Sequence, residues 1–344
     1  MFASEGDIWQ DILQFNILAQ NITVAGFSPL FPDAHCTEDG SICQVITREA
    51  EINAALTITS LVHSPAFDLA STYFLIAGIA GVNPEVATLT SVTFPRYAVQ
   101  VALQYEFDGR EKPRDFLTGY VPQGLFAPNQ YPQTLYGTEV FELNVALCTL
   151  AVQFARHAVL NNTEATQQVQ MAFANSTIYK AATKPPSIVE CDTATSDNFW
   201  TGILLGEAFK DTTTLFTNGT GVYCTTQQED NGTLEALLRA ALARLVDFSR
   251  IVVMRTASDW DRPSPGETAA NLFLADPPGF EPAILNIMLA GVEVVQGLVN
   301  GWDKRFRDGV KPENYIGDIF GSLGGKPDFG LPSVLPSRKR RKRQ

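Results

Sequence analysis

Apolar residues recur at helical spacing between Thr233 and Phe248, where Leu234, Leu237, Leu238, Ala241, Leu245 and Phe248 share one face, and this predicts an amphipathic helix. Ala54–His63 and Glu139–Val159 read as further helices, and Pro282–Trp302 as a final amphipathic one. Between them lie segments of a different kind. Thr72–Ile79 is a short apolar run entering a glycine-rich turn, as a buried strand would, and Arg250–Arg255 is a buried strand ending in Thr256-Ala-Ser-Asp-Trp-Asp. Thr90–Tyr105 is rich in Val, Thr and aromatics and is expected to be strand. Residues 110–138 are rich in Pro, Gly and Tyr and predict a long surface excursion. The alternation predicts an α/β fold, with a largely parallel or mixed sheet covered by helices. No repeat or low-complexity linker divides the chain before its last residues, so one domain is expected over 1–330, followed by a disordered basic tail over 331–344.

Two strand ends have chemistry beyond them, Ile76-Ala-Gly-Ile-Ala-Gly and Met254-Arg-Thr-Ala-Ser-Asp. In open α/β sheets ligands bind beyond the carboxyl ends of strands, which marks Gly78, Gly81, Ser258 and Asp259 as candidate site residues. Any strand end in such a fold would qualify, so placement alone names no reaction.

Charge narrows the partners. The chain carries −12 overall, yet residues 338–343 are six consecutive Arg and Lys, which leaves −18 on the body. A body that acidic repels nucleic acid. A nuclear address or a polybasic membrane tether are the alternatives to a merely solvated tail. A bilayer-crossing helix needs about 20 apolar residues. The charge-free stretches Leu69–Pro84 and Phe116–Thr138 are interrupted by Ser, Thr, Asn, Gly, Pro and Gln, so neither is expected to span a membrane.

The five cysteines include no CxxC pair, and with three histidines no zinc set forms; neither a metal nor a cofactor is expected. Cys36 and Cys43 flank a turn, Thr-Glu-Asp-Gly-Ser-Ile, that can bring them together as a disulfide if the protein is secreted; Cys191–Cys224 is a weaker second pair. Cys148 lies in an apolar helical run and is expected to be a buried thiol. Sequons at Asn21, Asn161, Asn175, Asn218 and Asn231 favour secretion, whereas the opening Met1-Phe-Ala-Ser-Glu-Gly-Asp has no signal-peptide character.

Four segments carry a resemblance that spacing does not: Tyr73-Phe-Leu-Ile-Ala-Gly-Ile-Ala-Gly-Val-Asn-Pro, Cys191-Asp-Thr-Ala-Thr-Ser-Asp, Thr217-Asn-Gly-Thr-Gly-Val-Tyr-Cys-Thr-Thr-Gln-Gln-Glu-Asp-Asn and Gly317-Asp-Ile-Phe-Gly-Ser-Leu-Gly-Gly. In that order, over about residues 1–330, they resemble the fungal purine nucleoside permeases, a family similar in turn to nucleoside phosphorylases and methylthioadenosine nucleosidases. The resemblance implies a single three-layer phosphorylase-like domain with a central mixed sheet, whose first strand would precede Met1 and is missing from this chain. It implies a purine nucleoside as ligand, phosphate as a candidate second ligand, and a secreted or cell-surface location; a homo-oligomer is compatible with it.

Residue by residue, Ala77-Gly-Ile-Ala-Gly matches a glycine turn facing nucleophile and sugar. Ser196-Asp-Asn-Phe-Trp matches a motif whose aromatic stacks on the purine, pointing to Phe199 and then Trp200. Gln228-Glu229 matches a carboxylate that holds the ribose hydroxyls, with Glu235 a competing match. Arg255-Thr-Ala-Ser-Asp259 matches a motif whose Asp protonates the departing base. Glu5 falls where nucleosidases carry the glutamate that activates water, and Arg96 is a candidate for the sugar site.

The chemistry suits these types. Cleaving an N-glycosidic bond leaves a purine anion and an oxocarbenium-like sugar, so it needs a protonated acid at the base and a carboxylate at the sugar. Bland roles compete: Asp259 as a turn cap, Glu229 as a favourable charge at a helix start, Phe199 and Trp200 as core, Glu5 as solvated surface. The phosphate-holding Arg and Ser of bacterial phosphorylases are replaced by Ile76 and Ile79. Three readings remain open: an enzyme cleaving purine nucleosides, a protein capturing them for uptake, and an inactive relative.

Overall fold

The computed structural model describes residues 2–10 and 12–330, so the expected basic tail lies outside the described residues. In chain order the first half comprises α1 (Ala3–Asp7), β1 (Gln20–Thr23), β2 (Asp33–Cys36), β3 (Cys43–Gln44), α2 (Glu51–His63), β4 (Phe74–Val82), β5 (Val92–Phe94), β6 (Tyr97–Gln100), β7 (Tyr105–Glu106), β8 (Tyr120–Val121), β9 (Val140–Glu142) and α3 (Val145–Ala155). The second half adds α4 (Glu164–Met171), β10 (Ile188–Glu190), β11 (Asp192–Thr195), α5 (Ile203–Phe216), β12 (Tyr223–Gln227), α6 (Asp230–Leu242), β13 (Ile251–Trp260), α7 (Ala269–Leu274), α8 (Phe280–Asn300) and β14 (Gly317–Asp318).

A nine-stranded mixed sheet runs in the order β10-β5-β13-β4-β12-β11-β6-β9-β14. Its centre is the long parallel pair β4 and β13, in register from Phe74 against Ile251 to Val82 against Trp260. Side chains alternate across a strand, and here the alternation divides two cores. Leu75, Ala77, Val252 and Met254 join the apolar face of α8 and α3. Phe74, Ile76, Ile251 and Val253 face α2 and α6 through Ile58, Leu61, Leu234 and Leu237. Helices on both faces of a mixed sheet make the expected three-layer α/β fold.

Several elements differ from expectation. Thr90–Tyr105 holds the two short strands β5 and β6 and the first residue of β7; Pro95, which cannot donate to a ladder, lies between β5 and β6. Glu139–Val159 begins as strand β9; only at Asn144, whose side chain accepts the Leu147 N–H, does helix α3 start. The Thr233–Phe248 helix starts earlier, at Asp230, and ends at Leu242, with Arg244 in the left-handed region at φ 62°. Helix α8, at 21 residues and mean hydropathy 1.7, is long and apolar enough to cross a membrane by length and composition; counting charge-free stretches missed it because Glu281 and Glu293 interrupt the run. It is instead the core helix of this fold, with Ala283, Ile287, Ala290 and Val294 buried.

Both expected disulfides are present: Cys36–Cys43 links paired positions of β2 and β3, and Cys191–Cys224 ties the start of β11 to β12. Cys148 is a buried thiol. Of the sequons, Asn231 is fully buried, bonded to the Thr138 carbonyl and the Thr195 hydroxyl, and so is closed to glycosylation in the folded chain.

Candidate functional site

The glycine segment is not a turn. Gly78 and Gly81 lie inside β4, and Ser258 and Asp259 lie inside β13 rather than beyond its end. Glycine within a strand marks a close approach by another group. A Cβ on Gly78 would stand 2.6 Å from Arg255 Nη1 and 2.8 Å from Glu5 Oε1, and one on Gly81 2.5 Å from Thr226 Oγ1 and 3.3 Å from Asp259 Oδ2. The two glycines thus admit two polar groups to the middle of the sheet.

The first group surrounds Arg255. This buried guanidinium bonds Asp230 through Nη2, with a second contact from Nε to Asp230 Oδ2 at 3.3 Å, reaches Glu229 Oε2 at 3.4 Å, and donates to the Ile79 carbonyl at 3.3 Å. Glu5 is 3% exposed, so it is not solvated surface. Its Oε1 accepts the Ile79 N–H at 2.6 Å and its Oε2 accepts the Phe2 N–H at 2.9 Å. Burial pulls Arg255 towards neutrality, but the charges of Asp230, Glu229 and Glu5 win and hold its pKa above the usual arginine range. Glu229 stands at the start of α6, positioned by the Gln227 side chain, whose Oε1 accepts the N–H groups of both Glu229 and Asp230 at 2.8 Å. The competing Glu235 pairs with Arg239 one turn along α6.

Sequence reasoning missed two members of this neighbourhood. Asp230 follows Glu229 in the same motif and was legible there. Glu51, at the start of α2, was not: its carboxyl accepts the Gln100 amide at 2.6 Å, and burial, aided by the charges of Asp197, Asp230 and Glu229, raises its pKa to about 7.

The second group is Asp259 with Ser258, Gly81 and Thr226. The ladder slips between Ala257 and Asp259, so Ser258 is bulged and Asp259 pairs opposite Gly81. Ser258 Oγ lies 2.6 Å from Asp259 Oδ1 and 3.2 Å from the Ala80 carbonyl. Burial raises the Asp259 pKa to about 6; the Ser258 hydrogen bond opposes this and the charge of Asp261 adds to it. Thr201 Oγ1 and the Gly202 N–H both bond the Asp261 carbonyl, which brings the Phe199–Gly202 segment to this end of β13. Phe199 is 55% exposed, its ring tilted against Phe273 at 5.9 Å. Trp200 is 7% exposed and packs edge-on against Phe209 at 4.7 Å, so its ring belongs to the core and offers no open face.

Arg96 stands apart from both groups. It precedes β6, which is separated from β4 by β12 and β11, and lies at the opposite end of that strand from Gln100. Its guanidinium is committed to Glu142 at 2.6 Å and lies over the Tyr97 ring. The strand direction that decides this cannot be read from a sequence.

The family model for purine nucleoside permeases matches residues 1–311. The chain belongs to that family. Relatives named as purine nucleoside permeases include one from Candida albicans, 45% identical over 97% of this chain and 82% of its own length. Another, named a probable purine nucleoside permease, is from Schizosaccharomyces pombe and is 40% identical over 88% of each chain. Among solved structures, this permease-family chain is similar to a 5′-methylthioadenosine/S-adenosylhomocysteine nucleosidase from Neisseria meningitidis in complex with methylthio-immucillin-A, at 12% identity and a TM-score of 0.49, covering 87% of this chain and 96% of that one. A futalosine hydrolase from Helicobacter pylori is similar at 14% identity and a TM-score of 0.48, covering 87% and 94%.

Proposed function

We propose that this permease-family chain binds purine nucleosides and cleaves their N-glycosidic bond, with water favoured over phosphate as nucleophile. One observation carries the reading: a buried carboxylate, Glu5, and a second carboxyl held near neutrality, Asp259, stand beside glycines of one strand segment, Gly78–Gly81. In the proposed reaction Asp259 donates a proton to the departing purine, so the base leaves neutral. Glu5, whose carboxylate faces the Gly78 backbone, accepts a proton from the attacking water. Glu229 receives the ribose hydroxyls and offsets the positive charge that grows at the anomeric carbon. Phe199, exposed beside this end of β13, is the candidate stacking face for the purine.

Charge supports water. A phosphate dianion needs uncommitted positive charge or several donors. Among the described residues, the guanidinium beside Gly78, that of Arg255, already meets Asp230, Glu229 and Glu5, and Arg96 is committed to Glu142. The family name favours a second reading, in which the chain captures nucleosides for uptake without turnover. The test is to incubate the protein with inosine and adenosine, with and without phosphate, and to measure free base. Base release supports cleavage; saturable binding in calorimetry with no base release supports capture.

A further inference from the structure

Just past Asp259 the chain buries two opposite charges side by side, Asp261 and Arg262. Arg262 grips Asp261 in a fork, Nε to Oδ1 at 2.9 Å and Nη2 to Oδ2 at 3.0 Å. The hydroxyl of Tyr223, buried on β12, donates to the same Oδ2 at 2.7 Å. All three partners are donors, so Asp261 is held as a carboxylate. The guanidinium reaches on through Nη1 to Glu207 of α5, and to Glu85, just past β4, at 3.4 Å. Lys210 of α5 bonds that same Glu85 at 2.6 Å. Gly206 gives the pair its room: a Cβ there would stand 2.6 Å from Arg262 Nη2 and 2.9 Å from Asp261 Oδ2.

A buried ion pair is often no more stabilising than apolar side chains of the same volume. What this pair fixes is a place and a charge. The Asp261 N–H donates to the Val82 carbonyl at the end of β4 at 3.0 Å, and its carbonyl accepts the Gly202 N–H at 2.8 Å. One residue thus ties the exits of β13 and β4 to the segment that carries Phe199. Its charge lies two residues from Asp259, and a buried carboxylate disfavours ionisation of another nearby. The groups that face Asp259 directly, Ser258 and Thr226, carry no charge. The remaining charges of this neighbourhood, Arg262, Glu207, Lys210 and Glu85, and the Tyr223 hydroxyl act on Asp259 from around Asp261.

We propose that Asp261 and Arg262 are positioning residues for Asp259: Asp261 keeps the neighbouring carboxyl in its proton-donating form, and Arg262 holds Asp261 in place. This rests on the reading of Asp259 as the general acid. Neither residue of the pair is required to touch the nucleoside.

The test titrates Asp259 by carboxyl carbon NMR, its resonance identified by its loss in Asp259→Asn, and follows base release from inosine across pH. Asp261→Asn keeps the shape and removes the charge, so the Asp259 midpoint should fall by about one pH unit. From a parental midpoint of about 6, base release should then drop about tenfold at pH 7 and less than about twofold at pH 5. Misplacement of the loop alone would lower release at both. Arg262→Met leaves Asp261 without its counter-charge and should move the midpoint upward instead. A midpoint unmoved by Asp261→Asn, or release lost equally at pH 5 and pH 7, overturns the proposal. So does a shift of both variants in the same direction. If either chain does not fold, the neutral combination of Asp261→Asn with Arg262→Gln takes its place. Its midpoint must lie above that of Asp261→Asn or below that of Arg262→Met, whichever survives, and a coincident midpoint is a refutation. A parent that releases no base at any pH, while the two midpoints move apart as stated, sinks the cleavage reading and supports the pair's hold on Asp259.

Discussion

Asp259 pairs opposite Gly81 across a bulge in the β13–β4 ladder, and a side chain on Gly81 would fall 3.3 Å from its Oδ2. The bulge turns an otherwise buried, apolar strand into a mount for one carboxyl. Asp259→Ala should therefore leave the fold intact and lower base release by about 10²–10⁴-fold, the usual effect of removing a general acid. Near-normal base release by a folded Asp259→Ala protein would overturn the assignment.

The same carboxyl should give the protein a pH signature. Its pKa is raised to about 6, from an unfolded value near ~3.9, so the native state prefers the protonated form. The stability that Asp259 contributes is complete below the unfolded value and is lost as pH rises through about 6. Asp259→Asn, which cannot ionise, should gain in Tm relative to the parent between pH 4 and 7. Base release, if it needs the protonated acid, should decline above pH 6 in the parent. A Tm difference that is flat across that range would mean that Asp259 is not held near neutrality.

Arg255 is the positive centre of the first group, and removing it should be costly. Arg255→Met leaves Asp230 fully buried, and Glu229 nearly so, without their partner, a situation that typically costs about 3–5 kcal/mol. Chemical denaturation should show that loss. Gly78→Ala should act on the same group from the other side, since its new methyl would meet Arg255 and Glu5 inside 3 Å, and overpacking of this kind costs about 1–3 kcal/mol. A Gly78→Ala protein with parental stability and parental base release would show that the glycine is not needed for this approach.

How far the chain could be read without a structure depended on the length of each signal. Strands β4 and β13 and helices α2, α6 and α8 were legible because each carries a long apolar pattern at one period. Strand β9 was not, because only Val140 and Phe141 carry its apolar signal, and so short a pair just ahead of a helix merges with the helix's own pattern. The glycines of β4 read as a turn because close approach of Arg255 and Thr226 side chains, the reason for them, is a tertiary fact. Asp259, Ser258 and Glu229 were named from motifs, and the structure places the first two on β13 and the third at the start of α6. Arg96 lies apart from them, paired with Glu142, because strand direction decides which end of β6 it occupies. Trp200 is buried and Phe199 exposed, because one residue's shift along Phe199-Trp200 exchanges surface for core.

The two disulfides differ in what they close. In the chain-entropy account Cys36–Cys43, seven residues apart, stabilises by about 2–3 kcal/mol, and Cys191–Cys224, 33 apart, by about 3–4 kcal/mol. Cys191→Ala with Cys224→Ala should accordingly lower stability more than the Cys36/Cys43 pair of substitutions. It should also loosen the β11–β12 neighbourhood that carries Gln227 and positions Glu229. Unreduced peptide mapping should find both links in secreted material, and free thiols at Cys36 and Cys43 there would refute the first.

The nucleophile can be decided by phosphate itself. Ile76 and Ile79 supply no side-chain donor, among the described residues the carboxylates of Asp230, Glu229 and Glu5 face the Arg255 guanidinium beside Gly78, and Arg96 is held by Glu142 on a distant strand. Burying a phosphate dianion among those carboxylates would add charge repulsion to its desolvation. Water needs only the base, and Glu5 stands against Ile79 to serve as one. Base release should then be insensitive to phosphate concentration, with free ribose as the sugar product. Glu5→Gln should slow release by about 10²–10⁴-fold, while Arg96→Ala should lower Tm and leave release per folded molecule unchanged. Accumulation of ribose 1-phosphate, with turnover that requires phosphate, would instead mean that backbone N–H groups between Gly78 and Gly81 hold the anion and that the enzyme is a phosphorylase.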